Sequence, residues 1–443
     1  MNRVLLLNSP IYWESTSESE QYLSPLGLGY IATCLEKAGI EVDLLDCVKE
    51  HISVPDILRY IDMSGASYIG MNVFTQNYDI VRYVMESIET KCSCLIGGQA
   101  VKFLYPEILR WSTNNDLFII IGDGELIIPP IVLGKCTQEP EYRQDTKWVY
   151  RVNATSPYFP RDISSICLNR KYLGNEIVTN HYGEKEIAIV TSRGCVYDCA
   201  FCGGAKSLNQ DIPTRIRTEE SIVKELDEIV LAYPNVSSIR ILDDLFLRGR
   251  QSILTANRIF SRYPQLSWRG MAHVLPLAGT FDQIKNLKMG RCRELFVGIE
   301  SGSDRIRKKI KKLGATDDVL RVSQEVLRCG IDLKGYFIYG FPGETEDDFQ
   351  KTYNLAASIK EISMQTSGNF RTSVFQFRPY HGTQLYQEIL QTTGILHRCE
   401  HTDGLNAAGR SQFNFDFGNY SAESDELLHN YIQRTRIIGE KLR

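Results

Sequence analysis

The chain reads as α/β from end to end, in two parts: a doubly wound parallel sheet, then a partial barrel of six β/α repeats. Three observations predict this. Short apolar runs of strand type recur along the 443 residues, helix-length segments separate them, and the pattern fades once, between about 135 and 185, before it resumes. The predicted boundaries are 1–135 for the first domain, 136–185 for a linker, 186–388 for the barrel and 389–443 for a C-terminal cap.

In order, "RVLLLN" (3–8) is the first strand. Ser24 is placed to cap a helix with Pro25 in its first turn, which runs to about Ala38 and stops at Gly39. "EVDLLD" (41–46), "YIGMNV" (68–73), "CLIGG" (94–98) and "LFIIIG" (117–122) are further strands, so a ligand is expected at their carboxyl ends. The stretch containing "PEYRQD" and "SPYFPRD" carries turn residues and reads as a surface linker. Barrel strands are predicted at 187–191, 238–242, 266–271, 294–299, 333–339 and 372–377. Between them, "TEESIVKELDEIVLAY" (218–233) puts Ile222, Leu226, Ile229 and Val230 on one helical face, and "TEDD" (345–348) opens another helix with a capping-box pattern. The final segment, with "FNFDFGNY" (413–420), reads as a cap or lid.

Charged residues make up 23% and the net charge is −4, which gives no reason to expect nucleic acid or a membrane surface as the main partner. The basic run "RIRKKIKK" (305–312) reads as the solvated face of a helix. "VLLL" (4–7) is too short for a signal-peptide core and no stretch approaches a membrane span, so the expected location is cytoplasmic. In that reducing setting, the twelve cysteines read as buried thiols or metal ligands rather than disulfides.

Nine cysteines are scattered, but Cys195, Cys199 and Cys202 in "SRGCVYDCAFCGGA" (192–205) are spaced C-x3-C-x2-C on a loop directly after a strand. Thiolates select zinc or iron–sulfur clusters. Structural zinc is closed by four protein ligands, usually in two separated pairs. Three cysteines on a tight loop instead suit a [4Fe–4S] cluster with one iron left open to a chelating substrate or cofactor. The alternative is a zinc site closed by Cys167, His181 or Cys292 as a distant fourth ligand.

This stretch resembles the signature of the radical S-adenosylmethionine (SAM) superfamily, with the aromatic Phe201 just before the last cysteine. In that family the open iron binds the amino and carboxylate groups of the methionine moiety. One electron then cleaves the sulfonium to give a 5′-deoxyadenosyl radical. The likeness extends to "RILDDLF" (240–246), which implies that Asp243 or Asp244 holds the methionine amino group. In "GIESGSD" (298–304) it places Glu300 and Ser301 toward the ribose and carboxylate. In "GYFIYGFPGET" (335–345) it has the backbone near Ile338 pair with adenine. Arg215 and Arg217 of "TRIRT" are candidates for the cofactor carboxylate. "RPYHGTQLY" (378–386) carries His381 where relatives usually have proline, so that histidine either serves the substrate or fills space.

"SPLGLGYIATCLEKAGIEVDLLD" (24–46) contains G-x-G-x-x-A at Gly27, Gly29 and Ala32, but roughly 15 residues separate it from the first strand, which argues against a dinucleotide site. With "GGQ" (97–99) and "GDGE" (122–125), the segment is similar to the Rossmann-like, cobalamin-binding-type domain that precedes many radical SAM barrels. The resemblance implies a cobalamin pocket lined by Thr75, Gln76, Gly98, Gln99, Gly122 and Glu125. The D-x-H-x-x-G motif that supplies a cobalt-ligating histidine elsewhere is absent, and His51 follows Asp46 at the wrong spacing.

The implied function is radical SAM modification of an unactivated carbon in a small molecule, foremost cobalamin-dependent methylation in a biosynthetic pathway. The alternative is deoxygenation, dehydration or rearrangement without cobalamin, on a degenerate B12-type domain. The implied partners are a small-molecule substrate, an electron donor such as flavodoxin or ferredoxin, and a partner reductase. A tRNA-modifying enzyme and a zinc-binding scaffold are further readings; the lack of a basic tail or RNA module counts against the former.

Overall fold

The computed structural model describes residues 2–10, 22–174, 176–393 and 419–440. It divides into one unit built mainly from Met1–Glu176 with Asn209–Pro213, and another built mainly from Ile177–Leu208 and Thr214–Arg398.

The first unit is a seven-stranded sheet in the order β2-β1-β3-β4-β5-β7-β6. Its strands are β1 (Arg3–Asn8), β2 (Glu41–Asp46), β3 (Tyr68–Asn72), β4 (Ser93–Gly97), β5 (Asp116–Gly122), β6 (Tyr142–Gln144) and β7 (Lys147–Val152). All neighbours pair in parallel except β6 with β7. Strands buried on both faces need continuous apolar sequence, which is why "VLLL" and "LFIII" read so clearly. The strand order reverses direction between β1 and β3, the topological position where such sheets bind ligands.

Two expectations need correction here. Residues 136–185 are not a linker: β7 pairs with β5 over six residues, and Val149, Tyr150, Val152, Phe159, Ile163 and Leu173 are buried. The strand signal "KWVYRV" is short and interrupted by charges, as an edge-side strand tolerates. Ser24 does not cap the first helix with its side chain; that helix, Leu26–Lys37, starts at Pro25 and ends before Gly39 (φ 75°). Its Gly29 gives Leu168 and Leu173 room to pack at 2.8 and 2.9 Å from where a Cβ would stand, so this glycine serves packing on the helix, whereas nothing lies within 4 Å of a Cβ at Gly27.

The second unit is a curled sheet in the order β16-β15-β14-β13-β12-β9-β8. Six strands are parallel: β9 (Lys185–Ile189), β12 (Ser238–Ile241), β13 (Ser267–Ala272), β14 (Cys292–Glu300), β15 (Asp332–Tyr339) and β16 (Phe370–Gln376). The antiparallel β8 (Val178–Thr179) extends the β9 edge, and β10 (Ser192–Arg193) pairs with β11 (Arg215–Ile216) beside the barrel. One apolar face packs under the helices through Ile239, Trp268, Leu295, Leu333 and Phe337. Ile222, Leu226 and Ile229 are buried in that core as the helical pattern predicts. At "TEDD", the Asp348 carboxylate accepts both the Thr345 N–H (3.0 Å) and its hydroxyl (2.8 Å).

Residues 394–418, with most of "FNFDFGNY" and Cys399, lie outside the described residues. The described end of the segment read as a cap is helix Asp425–Glu440, and it belongs to the barrel's own core. Leu428, Tyr431 and Ile432 are buried there, and Thr435 meets the Tyr339 hydroxyl at 2.7 Å.

Candidate active site

The three-cysteine loop leaves the carboxyl end of β9 under tight control. Asp243, at the carboxyl end of β12, accepts the Thr191 N–H (2.6 Å), the Thr191 hydroxyl (2.5 Å) and the Ser192 hydroxyl (2.6 Å). Gly194 (φ 90°) then turns the chain in a left-handed conformation that favours glycine, and donates its N–H to Asp244 at 3.0 Å. The loop is pinned further along, because Ala200 donates to the Ile310 carbonyl (2.9 Å) and accepts from Leu385 (3.0 Å).

Cys195, Cys199 and Cys202 are free, partly buried thiols on this loop. Burial raises all three, Cys202 to about 12, while the Lys312 ammonium pulls Cys195 and Cys199 the other way. A metal's charge is what ionises thiols in such surroundings. The Gly204 N–H already points at Cys202 Sγ (3.4 Å), a donor of the kind that steadies cluster sulfurs. The donor set therefore fits an iron–sulfur cluster.

The zinc alternative fares worse. Cys292 opens β14 at the amino ends of the strands, and His181 precedes β9, packed on Tyr182 with Arg269 3.4 Å from its Nδ1. Both stand at the end of the sheet opposite the cysteine loop. Cys167 is an exposed residue of the segment that packs on helix Leu26–Lys37.

The paired aspartates separate into two roles. Asp243 is buried and its carboxylate is spent on Thr191 and Ser192 at the loop entry. Among the described residues Asp244 accepts the Gly194 N–H alone, so its carboxylate keeps acceptor capacity for an ammonium group. Burial in the surrounding protein raises both carboxyls.

Glu300 ends β14 at φ 64°, a left-handed backbone at a register shift in the β14–β15 pairing. Its carboxylate pairs with Lys312 at 3.0 Å. Gly298 lies beneath the pair: a Cβ there would stand 2.3 Å from Glu300 Oε1 and 2.8 Å from Lys312 Nζ, so a side chain would displace them. Ser301 is wholly buried, with its hydroxyl on Thr352 (3.1 Å) and the Ser303 N–H (3.1 Å), so it braces the loop instead of facing a cofactor. Ile338 is half-buried on β15 opposite Phe375.

Phe201 packs on Phe341 with ring centroids 5.6 Å apart. Arg215 is buried on β11, in register with Arg193. Arg217 is committed elsewhere, to Glu225, the Val190 carbonyl and Ser221, so it is no cofactor ligand. His381 packs on Tyr386 (4.8 Å), and burial lowers it to about 4, leaving the ring neutral.

The basic run is a solvated face only in part: Arg305, Lys308, Lys309 and Lys311 are exposed, whereas Arg307 and Lys312 are covered. Its helix ends at Lys309, and Lys311 adopts φ 55°, so helical spacing misassigns Lys312 beyond that turn. Arg307 is buried and donates to the carbonyls of Ile299 (2.5 Å), Ser301 (3.2 Å), Leu313 (3.2 Å) and Gly314 (2.8 Å). Arg307 and Lys312 thus fix the carboxyl end of β14. The signal that could have found them is their position directly after "GIESGSD".

In the first unit, Thr75 and Gln76 follow β3, Gly98 and Gln99 follow β4, and Gly122 closes β5. Three neighbouring strand ends thus bring together every residue expected there, except that Glu125 is buried at 4% exposure. Gly98 (φ 112°) and Gly122 (φ 104°) let backbone meet backbone: a Cβ would lie 2.5 Å from the Val73 oxygen and 2.2 Å from the Val152 oxygen. Asn72 Oδ1, at the end of β3, is buried without a hydrogen-bond partner. An exposed glycine edge and an unused acceptor fit a flat macrocycle rimmed with amides. His51 sits in a left-handed turn beyond β2 (φ 51°), away from these loops in sequence and fold.

A three-cysteine loop at the carboxyl end of the first barrel strand, in a six-strand partial barrel, defines a radical SAM domain. The radical SAM superfamily matches residues 189–356, and the B12 binding domain matches residues 16–132. The chain is a radical SAM superfamily enzyme with an N-terminal B12-binding domain. An uncharacterized methyltransferase of Pyrococcus horikoshii is 26% identical over 383 residues, 84% of this chain and 80% of its own. Cytidylyl-2-hydroxyethylphosphonate methyltransferase of Streptomyces wedmorensis is 22% identical over 474 residues, 91% and 85% of the two chains. Among solved structures, the fold is similar to the radical SAM methyltransferase TsrM from Kitasatospora setae, with tryptophan and a SAM analogue bound (TM-score 0.64, 16% identity, 88% of this chain, 76% of that one). It is also similar to the cobalamin-dependent SAM radical enzyme OxsB (TM-score 0.61, 17% identity, 80% and 52%). The cofactors of this class are SAM and a [4Fe–4S] cluster, joined here by a domain of the cobalamin-binding kind. Such enzymes take a small-molecule substrate and electrons from a reductant. Among the described residues, no helix is long and apolar enough to cross a membrane.

Proposed function

We propose that this enzyme transfers a methyl group to an unactivated carbon of a small molecule, with Cys195, Cys199 and Cys202 holding the cluster. The observation that carries the reading is one chain joining that loop to a B12-type sheet whose glycine-lined strand ends fit a corrin. Relatives matched over most of their length bear methyltransferase names. When bound, the cluster and SAM supply a 5′-deoxyadenosyl radical to abstract hydrogen, and cobalamin supplies the methyl relay.

The chain's own residues do the positioning. Asp243 fixes the entry to the cysteine loop, and Asp244 offers its carboxylate to the methionine ammonium. Glu300, locked by Lys312, presents its backbone and carboxylate at the end of β14 for the ribose. Phe201 walls the cysteine loop, Arg215 faces the cofactor carboxylate, and the Ile338 backbone pairs with adenine. Thr75, Gln76, Gly98, Gln99 and Gly122 would line the edge that holds cobalamin. A flavodoxin, a ferredoxin or a partner reductase delivers electrons, and the cysteines' free thiols among the described residues suit a cytoplasmic setting.

The test is retention of cobalamin through desalting, followed by a search for label from methyl-deuterated SAM in product. Retained cobalamin and label in product support methyl transfer. Protein that holds the cluster and forms 5′-deoxyadenosine but releases all cobalamin would favour the cobalamin-independent alternative.

A further inference from the structure

The concave face of the barrel sheet is charged near its amino-terminal half, and the charges do not balance. Register places Arg240 of β12 beside Arg269 of β13, Arg269 beside Glu294 of β14, Phe296 beside Lys334 of β15, and Lys334 beside Arg371 of β16. Glu186 of β9 completes the set. Four cations thus share this face with three carboxylates, those of Glu186, Glu294 and Asp332, and His181, lowered to about 4 by burial, adds no charge.

Two of the cations use up Glu186 and Glu294. Arg269 donates to Glu186 at 2.7 and 2.6 Å and to Glu294 at 3.0 Å, and Arg371 donates to Glu294 at 2.5 and 2.7 Å. Nearby Asp332 is occupied by the Tyr182 hydroxyl (2.7 Å) and the Asn369 N–H (2.7 Å).

Arg240 and Lys334 remain. Each lies against the Phe296 ring, at 5.6 and 5.8 Å from its centroid, and Lys334 also lies 5.2 Å from that of Tyr336. Neither makes an ion pair or hydrogen bond among the described residues, and Arg240 Nε is buried without a partner. Burial and the neighbouring Arg371 lower the Lys334 ammonium to about 7, as happens to a cation with no anion at hand. Unpaired cations in such a place oppose folding, and strongly shifted groups of this kind gather at functional sites. Arg240, Lys334 and Tyr336 each keep partial exposure, so a ligand can reach them.

We infer that Arg240 and Lys334 form an oxyanion subsite on the concave face of the barrel that anchors a phosphoryl or carboxylate group of the substrate. Lys334 precedes Ile338 by four residues, about 13 Å along the strand. The anionic group would therefore lie remote from the carbon that reacts at the strand ends. This deepens the methyl-transfer reading and rests on it for the word substrate; the anion site itself does not.

The test uses cluster-reconstituted protein under anaerobic conditions, with inorganic phosphate and, separately, acetate as probes against chloride of equal ionic strength. With lysine carbons labelled, phosphate or acetate should raise the midpoint at which the Lys334 resonance titrates, and the more effective probe identifies the group. The same anion should raise the melting midpoint of the wild type and of the surface control Lys224→Met. Lys334→Met and Arg240→Met should show an apparent affinity at least about tenfold weaker. An unchanged Lys334 titration with both anions in the wild type would overturn the inference, whether or not the variants fold. So would equal stabilisation of wild type and both methionine variants. No SAM, reductant or cobalamin enters these measurements, so their failure leaves methyl transfer standing, and released cobalamin leaves the subsite standing.

Discussion

Lys312 Nζ lies 3.0 Å from Glu300 Oε1, with both side chains 8% exposed and Glu300 in left-handed backbone. A buried pair is weak support for stability against an apolar substitute, but removing one partner leaves the other charge stranded. Lys312→Met should therefore cost about 3 kcal/mol. The double variant Lys312→Met/Glu300→Met should cost less than the sum of the two singles. Urea unfolding of the four proteins measures this cycle, and strictly additive costs would mean the pair is not coupled.

The cysteine assignment predicts a split among thiols. Alanine at Cys195, Cys199 or Cys202 should abolish stable iron and sulfide after anaerobic reconstitution. Cys167→Ala should retain both, because that thiol is exposed and in the other unit. Iron and sulfide analysis with absorbance near 400 nm distinguishes them.

Asp243 and Asp244 are adjacent, yet their substitutions should fail differently. Asp243→Asn disturbs three hydrogen bonds at the loop entry and should cost about 1–3 kcal/mol of stability. Asp244→Asn should unfold close to wild type while weakening SAM binding about tenfold, the scale of one charged hydrogen bond. Unfolding and equilibrium dialysis with labelled SAM read the two effects; a reversed pattern would reverse the roles.

Glu344 predicts a pH dependence with a definite sign. It is fully buried, its Oε2 accepts the Gly340 and Phe341 N–H groups, and burial outweighs them to raise it to about 8. Its Oε1 has no partner, so that oxygen is free to carry the proton. The folded protein then holds a proton that the unfolded chain releases near the ordinary carboxyl range. The stability this group contributes is full below that range and is lost as pH rises toward 8. Wild type should lose stability between pH 5 and pH 8 by more than Glu344→Gln does; parallel curves would show that Glu344 titrates normally.

The parallel strands were legible because doubly buried strands write continuous apolar runs, as in "LFIIIG" and "ELFVGIE". Cysteine spacing was legible because ligand geometry constrains it locally. The strand Lys147–Val152 was not, since its charged positions hide a pairing whose partner lies 30 residues back. Nor was Lys312, because a left-handed residue at Lys311 breaks the helical spacing used to judge the basic run. Asp243 and Asp244 look alike in sequence, and only the folded loop separates the one that braces from the one left open. Arg240 and Lys334 sit 94 residues apart and share a ring that no local pattern connects to either.

The central claim is a cluster with three cysteine ligands and one iron open to SAM. The direct measurement is Mössbauer spectroscopy of 57Fe-reconstituted protein before and after SAM is added. One of four iron sites should shift its isomer shift and quadrupole splitting on SAM binding while three remain tetrahedral sulfur sites. Four irons that ignore SAM, or a loop that takes up zinc in place of iron, would contradict the account.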